Sequence, residues 1–219
     1  MGFAGSVGAF SVYTDRLSWE QAMLAAGVDR IVTDTFDNNI LNANSITFDT
    51  GVVSTGINGN TTNDVMDGFY FGEIDSDGDA LFDPVTLEPI DVMESITWTF
   101  PHEVIGFGAD FYSTSNSEGL QVSGTFDGID FQIDFLETLG NPGNGFLGIV
   151  GNTPIQQITF QTRTDDSSPV QNEFWVADNL SFGTPKSKAL EVPERSPNSV
   201  VLILGVAIAG CALRKNKRP

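Results

Sequence analysis

The sequence predicts a mainly β protein, an antiparallel β-sandwich with one short N-terminal helix and a C-terminal hydrophobic helix. Three observations lead there. Turn signals built on Gly, Asn, Asp and Pro recur roughly every ten residues, the spacing of an antiparallel sandwich. Apolar residues between them alternate with period two. Seventeen phenylalanines and 23 glycines suit strands and turns better than a helical bundle.

Taken in order, residues 1–10 read as the remains of a signal peptide or as a disordered Gly-rich start, with Val7-Gly8-Ala9 resembling a cleavage site. The folded body is expected over 11–183. Thr14 or Asp15 can cap a helix whose Trp19, Ala22, Met23 and Ala26 fall at i, i+3, i+4 and i+7, and Gly27 is a natural stop. Strands follow at Ile31–Phe36 and Ser45–Val53. Ile96, Trp98 and Phe100 alternate with polar residues and mark a half-buried strand. Val104–Tyr112 marks another, with Gly106 and Gly108 on a close-packed face. Leu120, Val122, Gly124 and Phe126 lead into Asp127-Gly128, and Ile129, Phe131, Ile133 and Phe135 return. Asp-Gly between two alternating runs is a strong hairpin signal, because both turn positions take positive φ. Strands at Phe146–Val150, Ile155–Thr162 and Phe174–Phe182 complete the body. A linker follows over 184–195 and a tail over 196–219.

Up to Pro185 the chain holds 27 acidic residues against three basic ones, Arg16, Arg30 and Arg163, a net charge of −24. Such a field repels phosphate backbones, so nucleic acid is excluded as a partner of the body. Divalent cations, or a polysaccharide matrix bridged by them, suit it better. The one cysteine, Cys211, allows no internal disulfide.

The tail is the most specific segment. Val192, Pro193 and Glu194 precede a charge-free run from Val200 to Leu213, within a predicted helix over 199–213. Arg214, Lys215, Lys217 and Arg218 form a basic end. Fourteen residues at ~1.5 Å each make a helix of roughly 21 Å, against a hydrocarbon core about 30 Å thick. The segment is short for a permanent anchor and suits a transient stop before processing. Basic residues hold their end on the cytoplasmic side, which leaves Pro-Glu at the outer face.

In this order of parts the chain resembles PEP-CTERM sorting-signal proteins of exported bacterial type, although Arg195 stands where that class commonly has Pro. The resemblance implies passage through the inner membrane, recognition by a C-terminal processing enzyme, and delivery to the cell envelope or outside the cell. Ile105–Phe111, Gly145–Ile149, Pro154–Phe160 and Ala177–Phe182 resemble the jelly-roll-like sandwich ectodomains found ahead of such signals. These are akin to carbohydrate-binding modules, which implies a structural or adhesive role with glycan binding. The rivals are a glycan-active enzyme on the same fold and a scaffold held permanently by its tail.

Asp75, Asp77, Asp79 and Asp83 match the first, third, fifth and ninth places of a calcium loop. Ala80 and Thr86 replace the Gly and Glu that an EF-hand requires, so a solvated acidic loop is the other reading. The resemblance also implies a structural calcium between the first and last strands, pairing Asp178 with Asp34 or Asp37. The alternative makes Asp178-Asn179 a turn or bulge in the last strand. For sugar stacking, Trp175 is favoured because Phe174 and Val176 are assigned to the core and leave it on the other face. Tyr70 and Tyr112 come next, and Trp98 is assigned to the core. His102, the only histidine, is read as a surface turn residue. No histidine or cysteine group for zinc exists. The body is therefore expected to be a non-enzymatic binding domain.

Overall fold

The computed structural model describes residues 10–57, 61–74, 81–82, 89–90, 95–114, 119–126, 128–141, 143–162 and 173–185. The predicted calcium loop (Asp75, Asp77, Asp79, Asp83), Asp127 and the whole tail (Val192, Pro193, Glu194, Arg214, Lys215, Lys217, Arg218) lie outside these. The chain divides into two units, Met1–Lys186 and Ser187–Pro219. All described residues belong to the first. None of their helices is long and apolar enough to cross a membrane.

The elements are β1 (Phe10–Tyr13), α1 (Arg16–Ala25), β2 (Val28–Asp34), β3 (Ser45–Thr47), β4 (Val53–Ile57), β5 (Thr61–Met66), β6 (Phe69–Ile74), β7 (Leu81–Phe82), β8 (Pro89–Ile90), β9 (Ser95–Tyr112), β10 (Leu120–Phe126), β11 (Ile129–Asp134), α2 (Phe135–Leu139), β12 (Gly145–Thr162) and β13 (Glu173–Pro185). β7 and β8 pair with each other, and the other eleven strands form one antiparallel sheet.

That sheet doubles back on itself because β9 and β12, at 18 residues each, serve both halves. Ser95–Thr99 of β9 lies between β4 and Gln157–Gln161 of β12, which in turn pairs with β10, and β10 with β11. Beyond the exposed corner at Pro101, His102 and Glu103, Gly106–Phe111 of β9 lies between Gly145–Val150 of β12 and β13. β6 and β5 continue outward from β13. Register shifts between Val150 and Gln157 mark the matching corner of β12. The halves meet through aromatic rings. Trp98 packs edge-on to Tyr70 at 5.2 Å, and Phe160 lies 5.5 Å from Trp175. All four side chains are fully buried. Burying a large apolar side chain is worth about 1.5–3 kcal/mol, so these rings supply much of the drive for closure.

Helix α1 forms as its sequence dictates. Asp15 caps it, accepting from the Ser18 backbone N–H at 2.8 Å and its hydroxyl at 2.7 Å. These bonds hold the Asp15 carboxyl below its ordinary value, with the hydroxyl bond the larger cause. Trp19 and Met23 are buried, and Gly27 ends the turn at φ +83°. Ala26 was expected on the buried face and is exposed. The helix covers the outer surface of the second half, where Trp19 donates to the Ile149 carbonyl at 3.2 Å. Gly148 permits this approach, since a Cβ there would sit 2.5 Å from the Trp19 ring.

Three expectations need correction. Ser45–Val53 is not one strand, because the chain reverses at Phe48–Gly51 and β3 pairs back on β4. Phe135 does not extend β11 but opens α2, which Asp134 caps through the Glu137 N–H. The segments flanking Pro101–Glu103, and those flanking Gly151–Pro154, run on as single bent strands.

Candidate functional site: an exposed aromatic face

An aromatic surface suited to a ligand lies on the outer side of β9, β13, β6 and β5. Its hairpin is set by Asp67-Gly68, at φ +52° and +85°, the positive pair that a two-residue turn needs. This turn directs Val65, Tyr70, Gly72 and Ile74 inward and leaves Asp64, Met66, Phe69 and Phe71 outward. On β13, Glu173, Trp175 and Ala177 point inward, while Phe174, Val176 and Asp178 face out. Tyr112, Val176, Phe71 and Asp64 then stand in one row across four strands.

Phe71 stacks on Phe174 with ring centres 6.0 Å apart, and Phe69 meets Tyr112 edge-on at 6.3 Å. Phe69 is 37% and Tyr112 38% exposed, which is high for rings of this size. Phe69, Phe71, Tyr112, Val176 and Asp178 line a shallow depression of about 490 Å³.

A polar network borders it. The Arg16 guanidinium donates to Asp110 Oδ2 at 2.9 Å, to Ser181 Oγ at 3.1 Å and to the Asn179 carbonyl at 3.2 Å. It also lies 4.6 Å above the Phe146 ring. Asn179 donates its side-chain amide to Asp178 at 2.9 Å and to Asp110 at 3.1 Å. Burial pushes the Asp178 carboxyl up, with smaller contributions from the Asp110 and Asp37 charges. Burial and the Asp110 and Asp178 carboxylates likewise raise Tyr112, and burial alone raises Asp64.

Trp175, favoured for sugar stacking, is 0% exposed and belongs to the core. The cause is a bulge. Register shifts between Asp178 and Ser181, where Asn179 sits at φ +51°. Counting alternate positions back from Phe182 through that bulge gives the wrong face. The indole lies over Gly72 of the neighbouring strand, where a Cβ would stand 2.4 Å from the ring. Tyr70 is also fully buried, and burial raises its phenol strongly. Tyr112 is exposed, as expected.

Asp178 sits at the bulge, hydrogen-bonded to the Asn179 N–H at 2.6 Å. Asp37 accepts from Thr35 at 2.7 Å. Asp34 is buried, and its oxygens accept from the Phe36 N–H, the Thr50 N–H and the Thr50 hydroxyl at 3.0, 3.0 and 2.8 Å. Among the described residues, no three His, Cys, Asp or Glu side chains are grouped to hold a metal. His102 is exposed at the corner of β9.

Phe69 and Phe71 were missed from sequence. Asp67-Gly68 is the same signal that revealed the hairpin at Asp127-Gly128, and it would have exposed their alternation. No family model, curated protein or solved structure matches this chain.

Proposed function

We propose that this chain is an exported, non-enzymatic protein of the cell envelope or extracellular matrix, sorted through its C-terminal segment, whose jelly-roll-like sandwich has a structural or adhesive role and holds glycan on its aromatic face. The observation that carries the binding role is the exposed pair Phe69 and Tyr112, with the half-buried Phe71, around one depression beside Asp178. Sugar rings present C–H faces that pack on aromatic rings, and their hydroxyls donate to carboxylates. The tail carries the sorting role, with Pro193-Glu194, a short apolar run and a basic end in the order of a sorting signal.

Replacing Tyr112 by Ala should weaken glycan affinity about tenfold, equivalent to one aromatic contact of about 1.4 kcal/mol. The melting temperature should stay nearly unchanged, because the ring is partly in solvent. Titrations of a panel of soluble glycans, each with calcium and with chelator, check both the patch and the calcium dependence expected from Asp75, Asp77, Asp79 and Asp83. Affinity that is indifferent to Tyr112 would remove the patch from the reading. The sorting role predicts that mature protein recovered from its native envelope has lost the basic end. Intact-mass measurement showing chains that still end at Pro219 would argue for a permanently anchored scaffold.

A further inference from the structure

We propose a second binding surface for an uncharged polysaccharide, on the outer face of the other half of the sandwich. The strand register sets Ser45, Thr55, Thr97, Thr159, Ser123 and Gln132 side by side in one row across six strands. Thr99 and Gln157 flank the row on one side, and Gln121 and Gln161 on the other. On β3, β4, β9, β10 and β12 no Asp, Glu, Lys or Arg side chain points to this face among the described residues. Only β11, at the edge, adds Asp130 and Asp134. A plane free of charge across five strands stands out in a body whose net charge is −24.

Hydroxyls and amides both donate and accept, so each position can serve either role toward a sugar hydroxyl. Strands lie about 4.8 Å apart, so the row offers a polar group at every such step over roughly 24 Å. The groups are held in place beforehand. Ser45 and Thr55 hydroxyls bond at 3.1 Å, Thr97 and Thr159 hydroxyls at 3.1 Å, and Gln132 donates to Gln121. Threonine is stiff at χ1, which lowers the entropy lost on binding. At one end Ser123, Thr125, Gln132, Gln157 and Thr159 line a depression of about 600 Å³, with Asp130 beside them accepting from the Thr125 hydroxyl at 2.7 Å.

The same features select the occupant. An anionic polymer finds no cation here and meets the field of the whole body. An apolar partner finds only Val53 and Ile57, both on β4, and a second copy would bring hydroxyls against hydroxyls without the apolar centre that stable interfaces have. A neutral polyhydroxylated chain matches the plane in both charge and hydrogen bonding.

The test is co-sedimentation of the detergent-solubilised full chain with microcrystalline cellulose and with an insoluble (1→3)-β-glucan, and gel retardation in polygalacturonate. Retention on at least one neutral polymer, little changed by salt, and none on the anionic one is expected. Thr97→Glu combined with Thr159→Glu should cut retention about tenfold or more. Gln157→Glu, at an exposed site that leaves the fold intact, should reduce it in the same direction. The Glu variants should cut retention by the same factor in a Tyr112→Ala background, which keeps this surface separate from the aromatic one. Absence of retention on both neutral polymers overturns the proposal, as does retention that ignores the Glu variants. A dimer dissolved by Thr97→Glu and Thr159→Glu, without polymer retention, would assign the face to self-association instead.

Discussion

Asp34 shows how one side chain can replace a stretch of regular structure. It ends β2, is 3% exposed, and gathers the Phe36 N–H and both donors of Thr50. Phe36 is thereby held at φ +52°, a costly conformation for a bulky residue, and its ring packs against Phe48 and Tyr70. Replacing Asp34 by Ala would strand two backbone donors, at roughly 1–3 kcal/mol for each buried one. The urea midpoint should fall by a matching amount, and Asp34→Asn should recover part of it. An unchanged midpoint would show that water serves the two donors equally well.

At the scale of elements, β13 holds the site in place. Below its bulge the inward residues are Trp175 and Ala177, and above it Leu180 and Phe182. Asp178 faces the aromatic depression with Val176, and the extra residue after it returns Leu180 and Phe182 to the core while Asn179 crosslinks Asp178 to β9 through Asp110. A strand of unbroken alternation with Trp175 and Ala177 inward would have turned Leu180 and Phe182 out of the core. Arg16 closes the same corner from α1, so the helix that covers the second half also sets the polar border of the site.

For the molecule as a whole, acidity governs stability. Asp64 and Asp178 have folded values above the ordinary 3.8, so the folded form holds their protons more tightly than the unfolded chain does. Their contribution is complete below 3.8 and is lost as pH rises through the raised values. Asp15 has the opposite sign, since its value lies below 3.8 and its contribution fades as pH falls through that lower value. Self-repulsion in a chain of net charge −19 adds to the first trend. Melting temperature should therefore rise as pH is lowered from neutrality toward about 4, and turn down below that. A monotonic loss of stability from pH 7 downward would contradict this balance.

Local chemistry settled what lies within a few residues along the chain. The Asp15 cap, the Trp19–Met23 face, the Gly27 stop, the two-residue turn between Phe126 and Ile129 and the inward Ile96, Trp98 and Phe100 all rest on near-neighbour sterics and alternation, which the sequence carries in full. The acidic balance and the order of parts in the tail are likewise properties of the written chain. Which face Trp175 takes, where β9 and β12 bend, and which outward residues share a row were decided by tertiary structure. Each depends on pairing between strands far apart in the chain, and one extra residue at Asp178-Asn179 reverses every assignment made across it.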